Sequence, residues 1–122
     1  MTLEFNSNVP IYIQVMNDIK RKIIKGHYKA SDKIESVRDL ALAYGANPNT
    51  IQRALSELER NGLLRSERTA GRFICDNAEL IESCKKEMAN EFADQYADNV
   101  QSIGLTIDDG LVLLQKKKEK GD

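Results

Sequence analysis

The chain holds little of what catalysis, metal binding or secretion requires. Among its 122 residues there are one histidine, two cysteines and two prolines. His27 has no carboxylates or thiols spaced around it as a ligand set, so no metal site is expected. There is no Ser/His/Asp set, no glycine-rich phosphate loop and no carboxylate pair on a defined scaffold. Neither catalytic residues nor a cofactor are therefore expected. No stretch approaches the roughly 18 consecutive apolar residues of a membrane span. The first residues, Met1-Thr2-Leu3-Glu4-Phe5, lack the basic start and apolar core of a signal peptide. The expectation is a cytoplasmic protein with no membrane partner, in which Cys75 and Cys84 are reduced apolar fillers. Aromatics make up only 6% of the chain. Most fall on stripes expected to be buried, which leaves few for stacking on single-stranded RNA bases.

What the chain does have is a run of short, well-punctuated helical segments. Ser36 precedes Val37-Arg38-Asp39-Leu40-Ala41-Leu42-Ala43-Tyr44, with Asp39 placed three residues on as in a capping box. Val37, Leu40, Ala41 and Tyr44 make its apolar stripe. After Gly45-Ala46, Asn47 is placed to cap a second helix and Pro48 suits its first position. Ile51, Ala54, Leu55 and Leu58 recur at helical spacing and should point inward. Asn49, Gln52, Arg53 and Ser56 then share the outer face, a polar surface suited to the base edges and phosphates of a DNA major groove. Gly62 ends this helix. Leu63–Ser66 and Arg72–Cys75 follow as two short strands, with a hairpin tip over residues 67–71. Arg65, Arg68 and Arg72 lie on that hairpin, where they suit phosphate or minor-groove contact. Helix, helix, hairpin is the order of a winged helix-turn-helix.

Upstream, a first helix begins near Pro10. Its stripe Tyr12, Met16, Ile19, Ile23 should pack across the helix pair, and Gly26 ends it. Downstream of Asp76, Ile81, Cys84, Met88, Phe92, Tyr96, Val100 and Ile103 recur every three or four residues. This describes a long amphipathic helix, closed by Gly104. Thr106 and Asp109 open a shorter helix through Ile107, Leu111, Val112 and Leu114.

These pieces resemble the GntR family of bacterial transcription regulators. The resemblance rests on Pro10-Ile11-Tyr12-Ile13-Gln14, Ile23-Ile24-Lys25-Gly26, Ser36-Val37-Arg38-Asp39-Leu40-Ala41, Asn47 to Leu55, Leu58-Glu59, Gly62-Leu63 and Gly71-Arg72-Phe73-Ile74. It implies DNA contacts from Arg38, Asn49, Thr50 and Arg53, which stand in matched motifs. It also implies a close approach of the Gly71 backbone to DNA. Asn47, Gln52, Arg68 and Arg72 are candidates on face and charge alone. The short tail resembles the YtrA subfamily, whose small helical C-terminal region serves dimerisation. Four positions depart from the family pattern. Ala30-Ser31 replaces Pro-Gly and Glu35 replaces a proline, which implies a less rigid loop. Thr69 replaces a wing glycine.

Charge agrees with two roles. Residues 1–76 hold 12 Lys+Arg against 9 Asp+Glu, and residues 77–122 hold 6 against 10, which together give the net −1 of the chain. The expected architecture is mainly α with a small β-hairpin. A winged helix-turn-helix DNA-binding domain at 1–76 precedes a two-helix dimerisation region at 77–122. The expected partners are a double-stranded DNA operator and a second copy of the chain, bound through Ile81, Cys84, Met88, Phe92, Tyr96, Val100 and Ile103. The sequence leaves any small-molecule effector open. The competing reading is a winged helix that binds protein rather than DNA. Its sign would be apolar residues on the outer face of the second helix of the pair, where Asn49, Gln52, Arg53 and Ser56 stand instead.

Overall fold

A computed structural model describes residues 3–121, so Met1, Thr2 and Asp122, the outermost residues of the expected regions, lie outside it. The elements run α1 (Ile11–Lys25), α2 (Val37–Tyr44), α3 (Pro48–Arg60), β1 (Leu64–Glu67), β2 (Gly71–Ile74), α4 (Ala78–Ser102) and α5 (Ile107–Glu119). They divide into two compact units, Met1–Ser83 and Cys84–Asp122.

In the first unit the helix boundaries follow local chemistry. The Ser36 hydroxyl accepts the Asp39 N–H at 3.1 Å, and the Asn47 side-chain oxygen accepts the Asn49 N–H at 2.8 Å. Both bonds satisfy first-turn donors that the helix itself cannot pair. Gly26 and Gly45 close α1 and α2 at positive φ (87° and 64°), where a side chain would be strained.

Three stripes meet in the core: Val15, Ile19 and Ile23 from α1, Leu40, Ala41 and Tyr44 from α2, and Ile51, Ala54, Leu55 and Leu58 from α3. On α1 the ridge runs through Val15 rather than through Tyr12 and Met16, which are half-buried at its margin. Residues 15, 19 and 23 are four apart and lie along one ridge, which sets the other two residues to its side. The Tyr44 hydroxyl remains hydrogen-bonded, donating to Asp18 Oδ2 at 2.6 Å. Burial, followed by that hydrogen bond, raises its pKa far above the ordinary tyrosine value.

β1 and β2 pair antiparallel, with Leu64 opposite Ile74 and Glu67 opposite Gly71. Each strand lies one residue from its expected span. The Leu63 N–H is spent on the Leu58 carbonyl at 3.0 Å, finishing α3, so the ladder starts one residue later. The loop entering α2, expected to be less rigid than in the family pattern, is tied to the hairpin by three main-chain bonds. The Ser31 N–H donates to Ile74 O (2.9 Å), Ile74 N–H to Asp32 O (2.8 Å) and Ile34 N–H to Arg72 O (3.0 Å). Lys33 forms an antiparallel bridge with Phe73. Ser31 occupies the place of the family glycine and adopts φ 66°.

The second unit is two crossing helices. Thr106 and Asp109 form a complete capping box at the start of α5. The Thr106 N–H and hydroxyl both hydrogen-bond to Asp109 and hold its carboxyl below the usual range. Gly110 is the crossing point: a Cβ there would stand 3.2 Å from the Tyr96 ring and 3.3 Å from Val100. The Tyr96 hydroxyl donates to the Gly110 carbonyl at 2.7 Å. Among the described residues no helix is long and apolar enough to cross a membrane.

Candidate nucleic-acid interface

α3 buries one side, and the other carries the polar candidates. Asn49, Gln52, Arg53 and Ser56 are exposed, and Thr50 is half-buried. Asn49, Thr50 and Arg53 share a concavity of about 420 Å³ with Ile11 and Tyr12 of α1. The Arg53 guanidinium lies 3.9 Å from the centroid of the Tyr12 ring and donates from Nη2 to the Tyr12 hydroxyl at 3.3 Å. Stacking on the negative face of the ring holds the guanidinium in place. Tyr12 is thus part of this surface as well as the margin of the core. Nothing local to Tyr12 signals it, because its partner lies 41 residues away.

Asn47 has its side-chain oxygen committed to the α3 cap, which leaves its amide N–H groups for other partners. Arg38 is exposed on the first turn of α2. Nearby, Glu35 accepts a hydrogen bond from the Tyr28 hydroxyl at 3.1 Å. That hydroxyl is pushed well above its ordinary pKa by burial first and then by the Glu35 charge.

The hairpin separates its three arginines. Arg72 is ion-paired with Glu59 near the C-terminal end of α3, and Ser66 donates to the same carboxylate oxygen at 2.8 Å. Burial opposes ionisation of Glu59, but the bonds from Arg72 and Ser66 outweigh it and hold the carboxyl below its usual range. Arg65 donates to the Ile74 carbonyl at 3.2 Å and to Glu67 at 3.4 Å, with its guanidinium 5.4 Å from the Phe73 centroid. Arg68 is exposed at the tip. There the Ala70 N–H donates to Glu67 O at 3.1 Å, and Gly71 follows at φ 109°. Thr69 is not among the residues at positive φ, so this turn closes without a glycine at that position.

Of the C-terminal candidates, Ile81, Cys84, Met88 and Tyr96 are half-buried, Val100 is buried, and Phe92 and Ile103 are exposed. Phe92, Tyr96 and Val100 join Ile107, Leu111 and Leu114 around an apolar cavity of about 600 Å³ between α4 and α5.

Helix pair, hairpin and helical tail also recur in known proteins. Residues 11–74 match the family described as "Bacterial regulatory proteins, gntR family". The chain belongs to the GntR family. It is 38% identical over 104 residues to the HTH-type transcriptional repressor YtrA of Bacillus subtilis (strain 168), covering 84% of this chain and 79% of that one. A GntR family transcriptional regulator from Listeria monocytogenes superimposes with a TM-score of 0.83 at 30% identity, over 92% of this chain and 98% of that one. The AraR(DBD), solved in complex with operator ORX1, superimposes with a TM-score of 0.57 at 29% identity, over 62% of this chain and 95% of that one. The winged helix-turn-helix and two-helix tail expected from sequence are thus the observed fold.

Proposed function

We propose that this GntR-family regulator binds a two-fold symmetric DNA operator as a homodimer and represses the genes it controls. The exposed polar face of α3, with Asn49, Gln52 and Arg53 over a fully buried apolar face, carries the reading. This helix enters the major groove. Arg53 and Arg38 hold phosphates, and Asn49 and Gln52 read base edges with their amides. The hairpin lies against the neighbouring backbone, with Arg68 at its tip and Gly71 beside it. The repressor name of YtrA and the operator bound by AraR(DBD) support the DNA and repression readings. Residues 1–76 serve DNA and residues 77–122 join two copies, so that paired half-sites are read together.

Selection from random duplexes with purified protein tests this, and should recover an inverted repeat. On that site Arg53→Ala should weaken binding at every sequence and lower the salt slope by about one unit. Asn49→Ala or Gln52→Ala should instead relax base preference, by about 1–3 kcal/mol of discrimination. Recovery of no preferred site, or four variants (Arg38→Ala among them) that bind like the parent, would refute the assignment of α3 as the reading helix.

A further inference from the structure

The hairpin carries less available positive charge than its sequence suggests. Arg72 is ion-paired with Glu59 and Arg65 with Glu67, so each of these cations sits beside a carboxylate. Lys33, from outside the hairpin, lies beside it. The segment before α2 pairs along β2, bridging Lys33 to Phe73. Neighbouring residues of an extended segment point to opposite faces. Ile34 is buried and Lys33 is exposed accordingly. The stem of Lys33 crosses directly above Gly71. A Cβ built on Gly71 would stand 3.0 Å from Lys33 Cε and 3.7 Å from its Nζ. The φ of 109° at Gly71 is itself the reason for glycine there, since the flexible end of the lysine could move aside for a side chain. Lys33 makes no ion pair among the described residues, and neither does Arg68 at the tip. The adjacent Asp32 carboxylate is turned back to accept the Lys29 N–H at 2.8 Å.

We infer that Lys33 is a DNA-phosphate contact of the wing, acting with Arg68, while Arg72 fastens the hairpin to α3 and Arg65 is held within it. This rests on the DNA-binding reading above. A lysine is a compact charge on a flexible stem and suits a phosphate without a fixed approach angle. The contact is to the backbone, so it adds affinity at every sequence and no base preference.

Binding of the full chain to a random-sequence duplex, titrated against salt, tests the inference. Lys33→Gln and Lys33→Met should each lower the salt slope by about one unit, and Lys33→Arg should keep the parent slope. The affinity deficit of Lys33→Gln should shrink about threefold between roughly 50 and 200 mM salt, as expected for one lost phosphate contact. Lys33→Met keeps a carbon at the Cε position over Gly71 and Lys33→Gln places an amide atom there, and the melting curves of both should match the parent. If both keep the parent slope while Arg53→Ala loses a unit, Lys33 is not a contact and the DNA reading stands. If the parent itself binds no duplex, the DNA reading falls and the inference falls with it.

Discussion

The two units of this chain handle apolar surface in opposite ways. In the first, the stripes of three helices close on one another, and Val15, Ile19, Leu40, Ile51, Ala54 and Leu58 are all completely buried. In the second, two crossing helices bury Val100 and Gly110 but leave Leu111 57% and Ile103 75% exposed. Two helices have only one mutual seam, whereas three helices and a hairpin can surround a common centre. The first unit therefore closes its core within one chain, although Leu42 on α2 remains exposed. The second leaves several large apolar side chains exposed, among them Phe92, Ile107 and Leu111, and exposed apolar surface of this kind marks interaction sites, which is why the homodimer is proposed there.

The sharpest break of this contrast is Leu111→Asp. In the proposed homodimer a second copy would cover Leu111, so the change should matter for assembly and not for folding of the first unit. Because Leu111 is 57% exposed, each copy loses about half of the roughly 1.5–3 kcal/mol of a full burial, and two-fold symmetry counts the loss twice. Sedimentation should show monomers where the parent is dimeric, with the melting of the first unit unchanged. A parent that is already monomeric at micromolar concentration would end the dimer proposal.

Leu55→Ala probes the other side. Its side chain is 1% exposed in the three-helix core. Truncation should cost about 2–5 kcal/mol of stability. Urea unfolding reads the loss, and the sedimentation of the folded protein should stay that of the parent. A change in oligomeric state would show that the two units are not independent in the way proposed.

Glu59 links α3 to the hairpin, and its effect should be smaller. Glu59→Gln removes charge from the bonds to Arg72 and Ser66 and should cost roughly 1–2 kcal/mol. The carboxyl has a lowered pKa in the folded state. Its contribution is therefore fully present above the ordinary glutamate pKa and is lost as pH falls from there through the lower folded value. Stability of the parent should decline over that acid range more steeply than that of Glu59→Gln. Parallel declines would show that the pair adds nothing.

The smallest expected effect is a gain. Ser31 sits at φ 66°, where an L-residue is strained and glycine is not. Ser31→Gly keeps the N–H that donates to Ile74. It should stabilise the first unit by roughly 0.5–1 kcal/mol once glycine's greater unfolded freedom is subtracted. Thermal melting decides the sign. A fall in Tm would mean that the three main-chain bonds of the loop already hold Ser31 without strain.

Much of the first unit is legible in the sequence because its signals are local. Ser36 and Asn47 cap the next residues along, and Gly26 and Gly45 end helices at their own positions. The core of α3 follows from spacing alone. The stripe of α1 is less legible, since Tyr12 and Val15 are both apolar enough to face inward. Only the position of α3 distinguishes the core ridge from the margin where Tyr12 holds Arg53. The stripe of α4 is also less uniform than its spacing suggests. Its C-terminal part is divided, Tyr96 and Val100 lying against α5 while Ile103 faces outward.

The sequence by itself determined the caps and the polar face of α3, because each is set by residues within a turn or two of one another, and it determined the element order and the family through short local motifs strung from Pro10 to Ile74. The tertiary structure decided which charges are spent and which remain. Arg72 meets Glu59 across 13 residues, Arg53 meets Tyr12 across 41, and the Lys33 stem passes over Gly71. A side chain's charge is written in the sequence, but its partner is chosen by the packing of distant segments, and that choice exists only once the core has closed.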